Sequence, residues 1–212
     1  MSFAPELNLV LPADLPNRES VVTNAARHLD LIEEANRQFN LTRIVSPRAA
    51  AIKHVLDSVL PWRLFAGAKQ VMDAGSGAGF PGIPLALVLP HVRFTLSESI
   101  QKKARFIESA ARDLQLPNVV VRGARAEELL ETATPDIVTL RAVAPLVKAL
   151  DLFAPALKKG VRLLLYKGPD SQQEIEDAAG PGKKLRVRMR VVFTYELPEA
   201  MGTRTVIEVV RD

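Results

Sequence analysis

With 212 residues, 48% of them hydrophobic and 25% charged, the chain can bury one good core and a small appendage, which leaves no room for a second large domain. A net charge of +4 and a pI near 9.5 fit an anionic partner such as RNA without requiring one. The absence of cysteine excludes disulfides, cysteine-ligated zinc and a cysteine nucleophile. The start "MSFAPELNLVLPADLP" lacks the basic and apolar regions of a signal peptide, and no run approaches the roughly 18 apolar residues that span a bilayer, so a cytoplasmic protein is expected.

Residues 17–66 carry apolar positions at helical spacing, among them Leu29, Ile32, Ala35 and Phe39, then Ile52, Val55, Leu56 and Val59. Pro47 and Pro61 bracket the second set, because each disfavours helix in the residue before it. Two or three helices are therefore expected within residues 1–66, packed on a main domain of residues 67–212. From Lys69 the pattern changes to short apolar runs, which predict strands at 70–74, 92–98, 118–123, 136–140 and 161–167. Helical segments are predicted near 83–89, 99–115, 125–131, 144–157 and 170–179. Such alternation implies right-handed crossovers and a largely parallel sheet covered on both faces. Segments 185–197 and 203–211 have no helix between them and are joined by about five residues with Pro198 and Gly202, so they predict an antiparallel hairpin at one side of the sheet. The expected fold is α/β: a Rossmann-like, mostly parallel seven-stranded sheet with a terminal hairpin, the layout of class I S-adenosylmethionine-dependent methyltransferases.

After the first predicted strand comes "VMDAGSGAGFPGIPLAL", residues 71–87, in which two glycine patterns overlap. Gly75, Gly77 and Gly79 have the spacing of a loop that holds S-adenosylmethionine, whereas Gly77, Gly79 and Gly82 match the dinucleotide fingerprint. Asp73 favours the first, since a carboxylate suits a cationic sulfonium and repels a pyrophosphate. Pro81 and Pro84 also remove backbone donors that a pyrophosphate would need. Glu98, at the end of the second predicted strand, suits the ribose hydroxyls of either cofactor.

"DAGSGAGFPGIPLA" (73–86) closely resembles the loop of the bacterial small-subunit rRNA guanine-N7 methyltransferase family, also called glucose-inhibited division protein B. The resemblance continues in order through "FNLTRI" (39–44), "KHVLDS" (53–58), "SESIQKKARFI" (97–107), "RAEEL" (125–129), "LRAVAPL" (140–146) and "YKG" (166–168). It implies methyl transfer from S-adenosylmethionine to N7 of one guanine in the 530 loop of 16S rRNA, as free rRNA or within the 30S subunit. It further implies cofactor contacts at Gly75 and Phe80, at Glu98 beside the ribose, at Ala126 and Glu127 near the adenine, and at Arg141 on the pocket edge. Leu140 departs from the small hydroxyl residue that the family often has before its Arg-Ala pair.

The residues agree with such chemistry without the resemblance. Guanine N7 has an in-plane lone pair and no proton to lose, so the enzyme needs to align nitrogen, methyl and sulfur and needs no general base. No Asn- or Asp-Pro-Pro-aromatic motif of the kind used on exocyclic amines follows the fourth predicted strand. Arg141 is expected beside the target base, where its fork of donors can reach guanine O6 or a phosphate, or else in a structural ion pair. Lys167, at the carboxyl end of the fifth predicted strand, is the best placed of the remaining cations for substrate.

For RNA, Lys184, Arg186, Arg188 and Arg190 alternate with apolar residues and would form one cationic face if residues 182–191 are a strand. The alternative is a solvated edge guarded against aggregation. Lys102 and Lys103 could reach a phosphate near the pocket mouth. His28, His54 and His91 lie in no ligand-spaced cluster, so no metal site is expected, and a monomer is the default. A class I methyltransferase for another RNA site or a small molecule, a nicotinamide oxidoreductase, and an RNA-binding protein with a vestigial pocket remain open on the residues alone.

Overall fold

A computed structural model describes residues 3–44 and 46–212. A short helix, α1 (Ala4–Val10), which the apolar spacing did not predict, precedes the long α2 (Arg18–Asn36). A helical rod follows, built from α3 (Pro47–Ala50), a π-helical stretch (Ala51–Leu56) and α4 (Asp57–Val59), with Pro47 in its first turn, where no backbone donor is needed.

The α/β part begins with β1 (Gln70–Ala74), α5 (Gly82–Val88), β2 (Arg93–Ser97), α6 (Gln101–Asp113) and β3 (Val119–Arg122). It continues with α7 (Ala126–Leu129), β4 (Ile137–Arg141), α8 (Leu146–Leu152), α9 (Ala154–Lys158), β5 (Arg162–Lys167), α10 (Ser171–Asp177), α11 (Ala179–Leu185), β6 (Val187–Leu197) and β7 (Gly202–Arg211). The strands form one sheet in the order β3-β2-β1-β4-β5-β7-β6, the first five parallel and the last two an antiparallel hairpin. The predicted helix over 144–157 divides at Phe153, because Pro155 cannot donate within a continuous helix.

Each face of the sheet buries a separate core. One carries α5 and the N-terminal helices and includes Leu7, Leu29, Ile52, Phe65 and Phe94; the other carries α8 and α9 and includes Leu150, Phe153, Leu163 and Val209. Chain order reverses between β1 and β4, so a crevice opens at the carboxyl ends of these neighbouring strands. No helix among the described residues is long and apolar enough to cross a membrane.

The expected row of four cations is corrected here. Lys184 belongs to α11, and Arg186 caps that helix in a left-handed conformation (φ 55°), so only Arg188 and Arg190 lie on β6. Arg190 is not free either, because Glu208 holds it at 2.8 Å while also pairing with Arg162. The alternation of side chains was read through a helix end, where it has no meaning.

Candidate cofactor site

β1 delivers the chain into a loop in which Gly75, Gly77 and Gly79 have φ values of 72°, 61° and 98°. This backbone region is natural to glycine and disfavoured for other residues. The amides of Gly75 and Ser76 donate to the Ser97 carbonyl at 2.9 and 3.0 Å, which ties the loop to the end of β2.

Asp73 lies under this loop rather than in the crevice. It is fully buried, its Oδ2 accepts from the Gly82 amide at 2.9 Å, and its Oδ1 has no partner. Burial pushes its carboxyl up to about 6, against the pull of the Gly82 amide. A Cβ on Gly82 would stand 2.7 Å from that carboxylate and 2.8 Å from Leu96. The third glycine of the dinucleotide pattern therefore serves a contact within the protein, and its amide is not available to a pyrophosphate. Through Oδ2 the carboxylate braces the loop from below, while Oδ1 keeps its accepting capacity.

At the carboxyl ends of the strands lies a cavity of about 350 Å³, lined by Ala74, Gly75, Ser97, Ala126, Glu127 and Val143 among others. Its size falls in the range of small-molecule sites, and its mixed apolar and polar wall suits a nucleoside joined to an amino acid. Ala126 is buried at the start of α7 and Glu127 follows it, with its carboxylate 3.7 Å from Arg125. Glu98 sits at the base of the loop, where Oε2 accepts from the Gly77 amide at 3.0 Å and Oε1 from the Ile100 amide at 2.8 Å. Each carboxylate oxygen retains capacity for a second donor such as a ribose hydroxyl. Surface grooves of about 550 Å³ along α6 and β3, and about 760 Å³ between α8 and α11, contain none of the expected cofactor residues.

Behind the loop, Phe80 is buried between two histidines from the N-terminal helices. The His54 ring stacks on it at 4.5 Å with planes 6° apart, and the His28 ring lies at 4.9 Å. His28 is fully buried, and its Nε2 donates to the Ala78 carbonyl in the loop at 2.9 Å. His54 Nε2 meets the Thr42 hydroxyl at 3.0 Å. Burial lowers His28 to about 4, and burial with the nearby Arg141 charge lowers His54 to about 3, so both rings are neutral near pH 7.

Arg141, at the end of β4, turns its guanidinium toward the helical rod. Nη1 donates to the Lys53 carbonyl at 3.0 Å and to Asp57 Oδ2 at 3.2 Å, and the guanidinium lies 5.3 Å from the centre of Phe80. Asp57 Oδ1 accepts from the Tyr195 hydroxyl at 2.8 Å. Of the two roles open to Arg141, the structure places it in the buried ion pair. Lys167 is likewise engaged: its ammonium donates to the Ala144 carbonyl at 2.8 Å and to Glu174 at 2.6 Å.

The expected cofactor residues thus divide by position. Gly75, Ala126 and Glu127 line the cavity, Gly77 and Glu98 are bonded to each other beside it, and Asp73, Phe80 and Arg141 support the loop from behind. His28, Asp57, Val143 and Glu174 are structural partners for which the sequence suggested no role in the site; Asp57 and Val143 fell within "KHVLDS" and "LRAVAPL", and a lone histidine or valine carries no spacing signal.

The RNA candidates lie at opposite ends of the sheet. Lys102 and Lys103 stand on the first turn of α6, four and five residues after Glu98; Lys102 lines a groove against α2, its ammonium 5.4 Å from the centre of the Phe39 ring, and neither lysine lines the cavity. Arg188 and Arg190 pair across β7 with Val210 and Glu208, level with the start of β5 and away from the cavity.

A family model described as rRNA small subunit methyltransferase G matches residues 22–196. The chain is 66% identical over 209 residues to the ribosomal RNA small subunit methyltransferase G of Solibacter usitatus, covering 99% of this chain and 100% of that one. It is 35% identical over 187 residues to the protein of the same name from Carboxydothermus hydrogenoformans, covering 85% and 79%. Among solved structures, an O-methyltransferase from Bacillus cereus in complex with SAH superposes with a TM-score of 0.60 at 19% identity, covering 96% of this chain and 94% of that one. A precorrin-6y C5,15-methyltransferase from Geobacter metallireducens gives 0.57 at 14%, covering 84% and 96%. These likenesses to solved structures establish the class I methyltransferase fold.

Proposed function

The chain belongs to the rRNA small subunit methyltransferase G family, and on that premise we propose that it methylates N7 of a guanine in the 530 loop of 16S rRNA. It is an S-adenosylmethionine-dependent methyltransferase of small-subunit ribosomal RNA. When bound, S-adenosylmethionine supplies a methyl group activated by its sulfonium.

The observation that carries the N7 reading is the state of the ionisable groups around the loop. Asp73 is sealed beneath it, His28 and His54 are buried as neutral rings, and Arg141 and Lys167 are committed to Asp57 and Glu174. None of these is presented as a free base. A nucleophile that carries its own lone pair needs only to be held in line with the methyl and sulfur, whereas an exocyclic amine or hydroxyl must lose a proton.

The chain's own residues then divide the work. The Gly75–Gly77 backbone and Val143 hold the amino acid end of the cofactor, Glu98 accepts from the ribose, and Ala126 and Glu127 flank the adenine. Lys102 and Lys103 bind RNA phosphates by charge at the cavity mouth. Arg188 and Arg190 are too far from the reacting centre to do so for the same stretch of RNA.

The test is incubation with methyl-labelled S-adenosylmethionine and either 30S subunits or bare 16S rRNA from cells lacking the enzyme. Mapping follows by borohydride reduction and aniline cleavage, which cut at N7-methylguanine. A single cut in the 530 loop is expected; label at another nucleotide, or label that resists cleavage, would refute the target or the atom.

A further inference from the structure

The cavity wall that faces Gly75 comes from the loop between β4 and α8. In it Ala142 has φ 56°, a backbone conformation that L residues rarely adopt, and Val143 is 43% exposed. Val143 also packs directly on the glycine loop, with Cγ2 3.0 Å from where a Cβ on Gly75 would stand, and it lines the cavity. A half-exposed valine that follows a residue in a disfavoured conformation needs something to hold it in place.

Two charged residues do so. Lys167 donates to the Ala144 carbonyl on one side of Pro145, and Glu174 Oε2 accepts from the Leu146 amide at 2.8 Å on the other. The two side chains are joined to each other at 2.6 Å. The Lys167 side chain is only 11% exposed, so its charge is spent on this loop and not offered to a phosphate.

We propose that Lys167 and Glu174 are positioning residues that clamp the β4–α8 loop so that Val143 forms an apolar seam beside the line from the methyl donor to the incoming purine. The purine side of this inference rests on the function proposed above; the cofactor side does not. The seam excludes water from the line of transfer and sets the angle at which the base meets the methyl group. Lys167 acts through Val143 and does not touch the substrate.

The experiment is a double-mutant cycle with two readouts: calorimetric binding of S-adenosylhomocysteine, and single-turnover methylation of 16S rRNA. Glu174→Gln leaves an acceptor for the Leu146 amide but removes the charge that holds Lys167. It therefore keeps the test alive if Lys167→Met fails to fold. Val143→Ala and Glu174→Gln are each expected to weaken S-adenosylhomocysteine about five-fold, through lost apolar contact, and to slow transfer about ten-fold. KM for RNA should stay within about two-fold, and the double variant should be no worse than Val143→Ala.

Wild-type binding and turnover in folded Glu174→Gln would overturn the proposal, and so would effects that multiply in the double variant. A rise in KM for RNA with Lys167→Met that persists in the Val143→Ala background would also overturn it, since Lys167 would then contact substrate. Coupled binding effects without any transfer to 16S rRNA by the wild type would support the clamp and strike only the proposed substrate.

Discussion

Mild acid should loosen this protein through the two histidines that flank Phe80. Both imidazoles ordinarily protonate at 6.5, and in the fold burial holds His28 neutral down to about 4, while burial and the Arg141 charge hold His54 neutral to about 3. The unfolded chain therefore takes up protons that the folded chain refuses. The histidine contribution to stability is complete above pH 6.5 and falls as pH drops below it, by about 1.4 kcal/mol per pH unit for each ring. At pH 5 the loss is about 2 kcal/mol per histidine, or about 4 kcal/mol for the pair. Asp73 acts with the opposite sign: burial raises its carboxyl from 3.8 to about 6, so the folded chain binds that proton first. It returns about 1.4 kcal/mol at pH 5, which leaves a net loss of about 3 kcal/mol from these three groups. Urea unfolding followed by circular dichroism at pH 7.5 and pH 5 measures the difference, and His28→Gln isolates one ring because the other titrations cancel. The variant should lose about 2 kcal/mol less than the wild type between the two pH values. Equal losses in both proteins would refute the assignment of the acid sensitivity to His28.

Three further outcomes are expected. Gly82→Ala forces a methyl group to within 2.7 Å of Asp73 and 2.8 Å of Leu96, and should cost about 1–3 kcal/mol in urea unfolding while weakening S-adenosylhomocysteine in calorimetry. Arg141→Ala leaves Asp57, which is 8% exposed, with Arg204 at 3.8 Å as its remaining cation and should destabilise by at most about 3–5 kcal/mol; replacing both Arg141 and Asp57 with apolar residues should recover much of that loss in the same assay. Lys102→Ala and Lys103→Ala should each weaken rRNA binding and lower the slope of log K against log salt by about 0.7–0.9, with Arg188→Ala leaving the slope unchanged in filter binding.

The sheet was legible because its central parallel strands, β1, β4 and β5, are buried on both faces and so appear as continuous apolar runs, as in "VRLLLYK". The glycine loop was legible for a different reason, since Gly75, Gly77 and Gly79 all meet a backbone requirement that few other residues satisfy. Elements failed where two periods meet. "GKKLRVRMRV" reads as alternation throughout, yet α11 continues to Leu185 and the strand begins at Val187.

The supports of the site were hidden for want of any local signal. His28 reaches a carbonyl 50 residues away, and Arg141 reaches an aspartate 84 residues back. Such pairings follow from tertiary packing and not from spacing, so Arg141 could be read toward the substrate when its partner lay in the helical rod. The resemblance of "FNLTRI" and "KHVLDS" to the family did mark Thr42, His54, Asp57 and Ser58, without revealing that they stand behind the cofactor loop.

The junction at Asp57 also has a meaning in time. Its carboxylate waits for Arg141 from the middle of the chain and for Tyr195, 138 residues later, from the closing hairpin. At a synthesis rate of about 5–20 residues per second, roughly 7 to 28 seconds separate the birth of the aspartate from that of its last partner. The first helices find their main apolar partners, α5 and the first strands, much earlier, so the Asp57 junction is the part of this layer that stays unfinished until translation is nearly complete. A chain released before β6 should lack the Tyr195 bond and be cut by protease around Asp57 faster than the full chain.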